Sequence, residues 1–193
     1  MRKLATSLVL ALGLSLIPVS AAHAADYTVR DARGDVVTFD METGEETLSS
    51  VANGDIVRTR FVHSNKAVVV RVKFRSLAKQ GLFRGDYVRV VTDAGLRRDV
   101  HVSAMSGQWK GDAEMTRPNH KPVDCDLSHR IDYGKNLLTL RIPRACLNNP
   151  RWVRVGVASF WLKGDLSAMY ADDAQKDGKV GNRVALSPRI RRG

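Results

Sequence analysis

Three aspartates near the start of the chain have the residue type and spacing of a metal-binding site. Asp31 and Asp35 flank Gly34 in a predicted turn, and Asp55 opens a predicted strand. If this strand begins beside the turn, the three carboxylates could bind Ca²⁺, an ion that takes several oxygen ligands. The alternative is that each aspartate closes its own turn through a side-chain to backbone hydrogen bond.

A second acidic loop comes later in the chain and contains Asp172, Asp173 and Asp177. This loop is a second candidate for binding Ca²⁺, although it lacks the full ligand spacing of an EF-hand loop. The sequence therefore offers two separate acidic loops as metal sites and leaves open whether either one binds an ion.

Aromatic side chains form a third group with possible chemistry. Trp109 lies between two glycines on a predicted loop and could stack on a sugar ring. Tyr133, Trp161 and Tyr170 could extend this platform. The alternative is that such large aromatics fill or edge the core, as they usually do, and this alternative is favoured for Trp152.

The histidines do not form a recognised catalytic or metal-binding motif, and the sequence contains no Gly-x-Ser-x-Gly elbow. His63 and His101 lie on predicted polar strand faces, where they could meet Asp99 across a sheet and form a catalytic pair. His129 lies on a predicted apolar face, where a hydrogen-bonded core histidine is favoured over a ligand. The sequence thus favours a protein without catalytic activity.

The two cysteines, Cys125 and Cys146, predict a disulfide. An even number of cysteines in an exported chain usually forms bridges. This bridge would enclose a second predicted hairpin over 127–142, and closing such a loop contributes roughly 3 kcal/mol in the chain-entropy treatment. A metal-binding or nucleophilic pair is the alternative, but neither cysteine has a partner at metal-ligand spacing.

Residues 1–24 have the pattern of a secretory signal peptide. Two basic residues precede an apolar run over 4–19, and Ala22-His23-Ala24 has the small-x-small form of a cleavage site. The apolar run is shorter than the roughly 20 residues of a membrane span, which disfavours the alternative of an uncleaved anchor. We therefore expect a secreted, extracellular protein in which 25–193 form one domain, with no transmembrane anchor after processing.

The chain is strongly basic, with a formal net charge of +11 and denser positive charge at Arg183, Arg189, Arg191 and Arg192. Basic residues spread over most predicted strands favour a solvated outer face. The alternative is attraction to anionic polymers, such as cell-wall polymers, acidic polysaccharide, lipid head groups or extracellular nucleic acid. No nucleic-acid-binding motif accompanies the charge, so only the charge supports such partners.

A predicted hairpin over 55–75 is the element that would position these residues. In its second run Val68, Val70, Val72 and Phe74 share one face, which is the period of two of a half-buried strand. Such a hairpin has to place its apolar face against a second layer. Roughly nine or ten short strands, separated by frequent turn signals, predict an all-β, antiparallel, jelly-roll-like β-sandwich.

A family resemblance follows from three of these features: the Asp31-x-x-Gly34-Asp35 turn, the strand opening Asp55-Ile56, and the valine-rich run over 68–74. Together they resemble the start of family 9 carbohydrate-binding modules and DOMON-like domains, over residues 31–77. The resemblance implies a secreted β-sandwich with a structural calcium ion and an extracellular ligand such as a glycan. The paired tryptophans of a sugar clamp cannot be placed in this sequence. The chain also resembles small secreted bacterial proteins with no assigned activity.

The sequence as a whole predicts a secreted, monomeric, disulfide-bonded β-sandwich that acts as a binding module. Glycan or cell-wall polymer is the favoured ligand class, with Trp109 as the exposed platform. One alternative is a cationic interaction protein that binds anionic polymers or a protein partner. A hydrolase with an unrecognised site is the other.

Overall fold

Alternating apolar and polar residues form two antiparallel β-sheets that pack face to face. The computed structural model describes residues 25–181 and 183–193. The predicted signal peptide, residues 1–24, therefore lies outside the described residues. Within the described ranges, no helix has both the length and the apolar character that crossing a membrane requires.

The described residues form thirteen strands and one short 3₁₀ helix, Arg144–Leu147. The strands are β1 (Ala25–Arg30), β2 (Val36–Asp40), β3 (Glu46–Ser49), β4 (Ile56–His63), β5 (Ala67–Phe74), β6 (Phe83–Thr92), β7 (Arg97–Met105), β8 (Gln108–Thr116), β9 (Ser128–Asp132), β10 (Leu137–Pro143), β11 (Trp152–Leu162), β12 (Ala168–Asp173) and β13 (Ile190–Arg191). Strands β3, β12 and β13 are missing from the prediction of nine or ten strands.

One sheet has five strands in the order β1-β4-β5-β10-β9, and the other has eight. The eight-stranded sheet has the order β3-β2-β12-β11-β6-β7-β8, and β13 pairs with β11 outside this path. All of these strand pairs are antiparallel. This arrangement confirms the predicted antiparallel β-sandwich.

The central predicted hairpin is confirmed as β4 and β5, which pair antiparallel with His63 opposite Val68. The side chains of Val70, Val72 and Phe74 are fully buried, as their alternation predicts. They pack in one core with the inward-facing residues of the other sheet, among them Val88, Val90, Val100, Val102, Val153, Val155 and Val157.

The second predicted hairpin is confirmed as β9 and β10, which pair antiparallel. The predicted disulfide between Cys125 and Cys146 is also confirmed, with a sequence separation of 21 residues. Both sulfur-bearing residues are partly buried against the core. The bridge therefore ties the segment that precedes this hairpin to the 3₁₀ helix that follows it.

Within residues 183–193, Val184 and Ala185 pack against Gly156 on the outer face of the eight-stranded sheet, and Ile190–Arg191 pair with β11 as β13. A Cβ atom at Gly156 would come within 2.1 Å of the Ala185 carbonyl oxygen, so β11 needs glycine at this point. The side chain of Arg189 stacks on the Trp152 ring, with 4.6 Å from its Cζ atom to the ring centroid. The predicted basic tail is thus partly docked on the sheet.

The disulfide gives a direct test of the loop-closure argument. Replacing both cysteines, in C125S/C146S, should lower the free energy of unfolding by about 3 kcal/mol, because the unfolded chain regains the freedom of the closed loop. Urea denaturation followed by far-ultraviolet circular dichroism measures this change. The wild-type protein unfolded under reducing conditions should match the variant, and equal midpoints for the oxidised wild type and the variant would contradict the prediction.

Candidate cation site and candidate ligand surfaces

Aspartates from both sheets converge where the chain crosses from one sheet to the other. Asp31 follows β1 and Asp35 precedes β2, so both lie on the crossover. Asp55 precedes β4 of the five-stranded sheet, and Asp172 lies within β12 of the eight-stranded sheet. These four residues are called the aspartate cluster below.

The carboxylates form two overlapping groups, each close enough to share one ligand, and Asp35 belongs to both. One oxygen from each of Asp35, Asp55 and Asp172 lies within 4.8 Å of the others, and the same holds for Asp31, Asp35 and the exposed Asp177. The structure therefore brings the three predicted metal-binding residues together. It also adds two residues from the second acidic loop, which the sequence treats as a separate candidate.

Each aspartate of the cluster accepts a backbone hydrogen bond through one carboxylate oxygen, at 2.7 to 3.2 Å. The four pairs are Asp31 with the N–H of Ala32, Asp35 with Gly178, Asp55 with Gly34, and Asp172 with Ile56. Gly34 and Gly178 donate from turns with positive φ of 72° and 60°, a conformation that glycine adopts without strain. These bonds fix the orientation of the carboxylates.

The other oxygen of each carboxylate is buried and has no hydrogen-bond partner among the described residues. Asp55 and Asp172 are only 0% and 1% exposed. The one cation within 4 Å in the described part of the chain is Arg75, whose Nη1 lies 3.5 Å from Asp55 Oδ2. A buried charged oxygen without a partner is costly, so these four oxygens call for a ligand or a proton.

Burial and mutual repulsion disfavour negative charge in the cluster. Burial, together with repulsion from Asp172 and Asp35, raises the pKa of Asp31 to about 8. Burial, with added repulsion from Asp35 and Asp55, raises the pKa of Asp172 to about 7. Burial also raises the pKa of Asp35. A proton or a bound cation would relieve this repulsion.

The ligand atoms of the cluster are carboxylate oxygens, which suit hard cations such as Ca²⁺ and Mg²⁺. Histidine and cysteine, the usual ligands of Zn²⁺, do not take part in either acidic group found among the described residues. Asp173 does not join the cluster. Its carboxylate instead accepts the N–H groups of Gln175 and Ala185 and pairs with Lys176 at 3.3 Å.

Trp109 lies on strand β8, which corrects the prediction that it lies on a loop. Its ring is half-buried and meets Tyr133 edge-on at a centroid distance of 6.2 Å. The Tyr133 hydroxyl donates a hydrogen bond to the Trp109 carbonyl oxygen at 2.9 Å, and the Lys79 ammonium lies 5.4 Å from the Tyr133 ring centroid. These two predicted binding residues therefore form one small aromatic patch.

Trp161 lies in the interior, which corrects its prediction as a binding residue. It is 5% exposed, and its Nε1 donates to the Asn53 carbonyl oxygen at 2.9 Å. Tyr170 stacks on it at a centroid distance of 4.3 Å. Trp161 and Tyr170 are cross-strand partners on β11 and β12, whereas Trp109 is on β8, three strands away from β11 in the same sheet. Packing therefore occupies the Trp161 ring face that a sugar would need.

The predicted catalytic pair, in which His63 and His101 would meet Asp99 across a sheet, does not form. His63 is on β4 of the five-stranded sheet and is fully buried, whereas His101 and Asp99 are on β7 of the other sheet. Asp99 instead pairs with Arg89 at 2.8 Å and with Arg97 at 3.1 Å. The prediction that His63 faces solvent is wrong, because its alternation places it with Phe61 on the core side.

His129 is half-buried, with its Nε2 atom 3.2 Å from the Lys110 carbonyl oxygen. The hydrogen-bonded state favoured for this histidine is therefore present. Its cross-strand partner is the fully buried Leu140 on β10, so His129 lies on the side of β9 that faces the core.

Cationic side chains line the outer face of the five-stranded sheet. The register places Arg30 opposite Arg58, Arg58 opposite Lys73, and Arg60 opposite Arg71. Like charges directly opposite on a sheet destabilise it, by roughly 0.2–1 kcal/mol a pair. We call this surface the cationic face; its members are Arg30, Arg58, Arg60, Arg71, Lys73, Arg130 and Arg141.

Only part of this charge is neutralised by neighbouring acids. Asp26 pairs with Arg60 at 2.8 Å, and Asp132 pairs with Arg130 at 3.1 Å. The other cations of the face have no ion pair with the described acids. A depression of about 370 Å³ lies among the side chains of β1, β4 and β5 on this face. The arrangement can hold anionic groups in a row across the strands.

The alternation of polar residues along the central hairpin is a signal for the cationic face within the sequence. Arg71 and Lys73 are predicted to point away from the core, and Arg58 and Arg60 precede the same turn. Folding the hairpin in register places Arg60 opposite Arg71. Which strands flank the hairpin cannot be read from this alternation, so the contribution of Arg30 and Arg130 becomes visible only in the structure.

Comparisons of this chain with protein-family models, with curated proteins and with solved structures find no match. The resemblance to family 9 carbohydrate-binding modules and DOMON-like domains therefore remains a prediction. Function has to be argued from the cluster, the aromatic patch and the cationic face.

The burial of His63 has a consequence for the pH dependence of stability. Burial lowers the pKa of His63 in the folded state, aided by Arg144 and Arg192 and opposed by its hydrogen bond to the Ile190 carbonyl oxygen. The unfolded chain therefore binds a proton more readily, so stability falls as the pH drops below about 6.5 toward the lowered folded value. The raised pKa values of the aspartates have the opposite effect, because they make the folded state more stable as the pH falls.

The variant H63Q separates these contributions, because glutamine can keep a hydrogen bond but does not titrate. We expect wild type to lose more stability than H63Q between pH 7.5 and pH 5.5, as measured by urea midpoints at each pH. An equal loss in the two proteins would contradict a neutral, buried His63.

Proposed function

We propose that this chain is an exported, non-catalytic binding module that holds an acidic polysaccharide on the cationic face. The observation that carries this proposal is the row of like charges Arg30, Arg58 and Lys73 on three adjacent strands. Repulsion between these like charges disfavours the pairing of the strands that carry them. Because the row costs stability, its presence favours a role in binding anions. The disulfide supports export, because such bridges persist in oxidising compartments.

Polysaccharide is favoured over nucleic acid by the composition of the face. The residues registered beside the cations are mostly hydroxyl-bearing or aliphatic, such as Thr28, Val69 and Thr139. None of the registered residues between β1 and β9 on this face is aromatic, whereas single-stranded nucleic acid usually requires stacking platforms. Threonine hydroxyls can instead exchange hydrogen bonds with sugar hydroxyls.

Charge reversal at two adjacent positions gives the sharpest test. In R71E/K73E, each new glutamate lies opposite an arginine, Arg60 or Arg58, so the fold should be as stable as wild type or more stable. Binding to immobilised polygalacturonate and dextran sulfate should weaken at least about tenfold, a loss of about 1.4 kcal/mol. Biolayer interferometry measures the affinity, and thermal melting measures the stability.

A matched control separates the site from the net charge. R191E/R192E reverses two exposed cations outside the cationic face and changes the net charge equally. It should bind both polyanions nearly as well as wild type, and neutral dextran should bind none of the proteins. If both double variants lost the same affinity for the polyanions, net charge alone would explain the loss, and the result would count against the proposed site.

The aromatic patch supports a second candidate function, the binding of a neutral glycan. Trp109 is half-exposed and braced by Tyr133, and a braced ring can stack on a sugar. In this case W109A should lose retention on insoluble neutral polysaccharide, while W152A should keep it. Pull-down with cellulose and with chitin measures this, and retention that survives W109A would count against the second candidate.

A further inference from the structure

We propose that Asp35, Asp55 and Asp172 bind one calcium ion that joins the two sheets of the sandwich, with Asp31 beside them. This inference goes beyond the polysaccharide proposal and does not depend on it. Asp55 belongs to the five-stranded sheet, Asp172 to the eight-stranded sheet, and the other two to the crossover between them.

The geometry of the oxygens fits an ion of this size. Calcium binds oxygen at about 2.4 Å, so ligands on opposite sides of the ion are about 4.8 Å apart. The oxygens of Asp35, Asp55 and Asp172 lie within 4.8 Å of one another. Three carboxylates can therefore contact one ion without a rearrangement of the backbone.

The unpaired oxygens point to a ligand independently of the acidic character of the cluster. Backbone amides hold Asp55 Oδ2 and Asp172 Oδ2 at 2.7 Å, so these side chains cannot turn to find other donors without losing a hydrogen bond. Their Oδ1 atoms are left buried and unpaired, at 0% and 1% residue exposure. A cation held by Asp35, Asp55 and Asp172 would bring positive charge beside these unpaired oxygens.

The ligand set favours calcium over other cations. Magnesium loses its water reluctantly and usually keeps several water molecules, whereas calcium accepts six to eight protein oxygens in flexible geometry. The cluster offers one free oxygen from each of four aspartates, largely shielded from water. Asp177, exposed and close to Asp31 and Asp35, can complete the coordination together with water.

The first experiment measures calcium binding by the purified protein after removal of metals with a chelator. Isothermal titration and thermal melting are followed with CaCl₂ up to about 10 mM, enough to saturate even a weak extracellular site of about 10⁻³ M. MgCl₂ and NaCl at equal ionic strength are the comparison salts. Calcium should bind with a stoichiometry of one and raise the melting temperature more than either salt.

The variant D172N distinguishes a metal ligand from a protonated acid. Its amide oxygen can still accept the Ile56 N–H, and its neutral charge relieves repulsion with Asp35 and Asp55. Without calcium, D172N should therefore melt at the same temperature as wild type or higher. With calcium, it should melt below wild type, and its affinity should fall at least about tenfold, as loss of a charged ligand oxygen predicts.

The control variant is D126N, which changes an exposed aspartate outside the cluster. It should respond to calcium as the wild type does. Three outcomes would overturn the assignment: no heat and no calcium-specific melting shift in wild type, equal stabilisation by magnesium and calcium, or an unchanged calcium response in D172N. Loss of polyanion binding in R71E/K73E tests the other proposal and leaves this result unaffected.

Discussion

Packing two sheets face to face requires that every polar group between them finds a partner. Where this chain buries a charged pair, the requirement is met: Arg84 and Asp86 are 2% and 1% exposed and are joined by a hydrogen bond of 2.6 Å. Arg84 also reaches the Ser159 hydroxyl and lies 4.8 Å from the Phe74 ring centroid. Such a pair is compatible with burial only because its partners are complete.

The aspartate cluster departs from this rule within the same interior. Asp55 and Asp172 are as deeply buried as Asp86, yet one oxygen of each carboxylate in the cluster lacks a donor. Natural interiors contain few such groups, and each one calls for an explanation. A bound cation explains the unpaired oxygens of Asp35, Asp55 and Asp172, and it also explains why these acids come from both sheets and from the crossover between them.

The sequence predicts the architecture well because side-chain alternation is a local property. The period of two at Val68, Val70 and Val72 is enough to define the buried face of β5, and the even number of cysteines is enough to predict the bridge. The strand β12 is harder to predict, because Asp172 and Asp173 at its end are atypical of a buried strand.

The site is only partly predictable, because it depends on strand order. Asp31, Asp35 and Asp55 can be grouped from their turns, but Asp172 is 116 residues away from its hydrogen-bond partner Ile56. No local pattern indicates that β12 pairs with β2 and so approaches this turn. The same limit applies to Trp161. Its buried indole N–H finds its hydrogen-bond acceptor in the carbonyl oxygen of Asn53, a residue in a loop far away in the sequence.

The position of residues 187–193 has a consequence for biosynthesis. Ser187 exchanges two hydrogen bonds with Val155 in the middle of β11, and the Gly193 N–H donates to the His63 carbonyl oxygen on β4. Ile190, 4% exposed, fills part of the core. The eight-stranded sheet therefore lacks β13, and the core lacks Ile190, until the ribosome has made this segment. During synthesis this edge of the sandwich should therefore stay open until the last strand is available to close it.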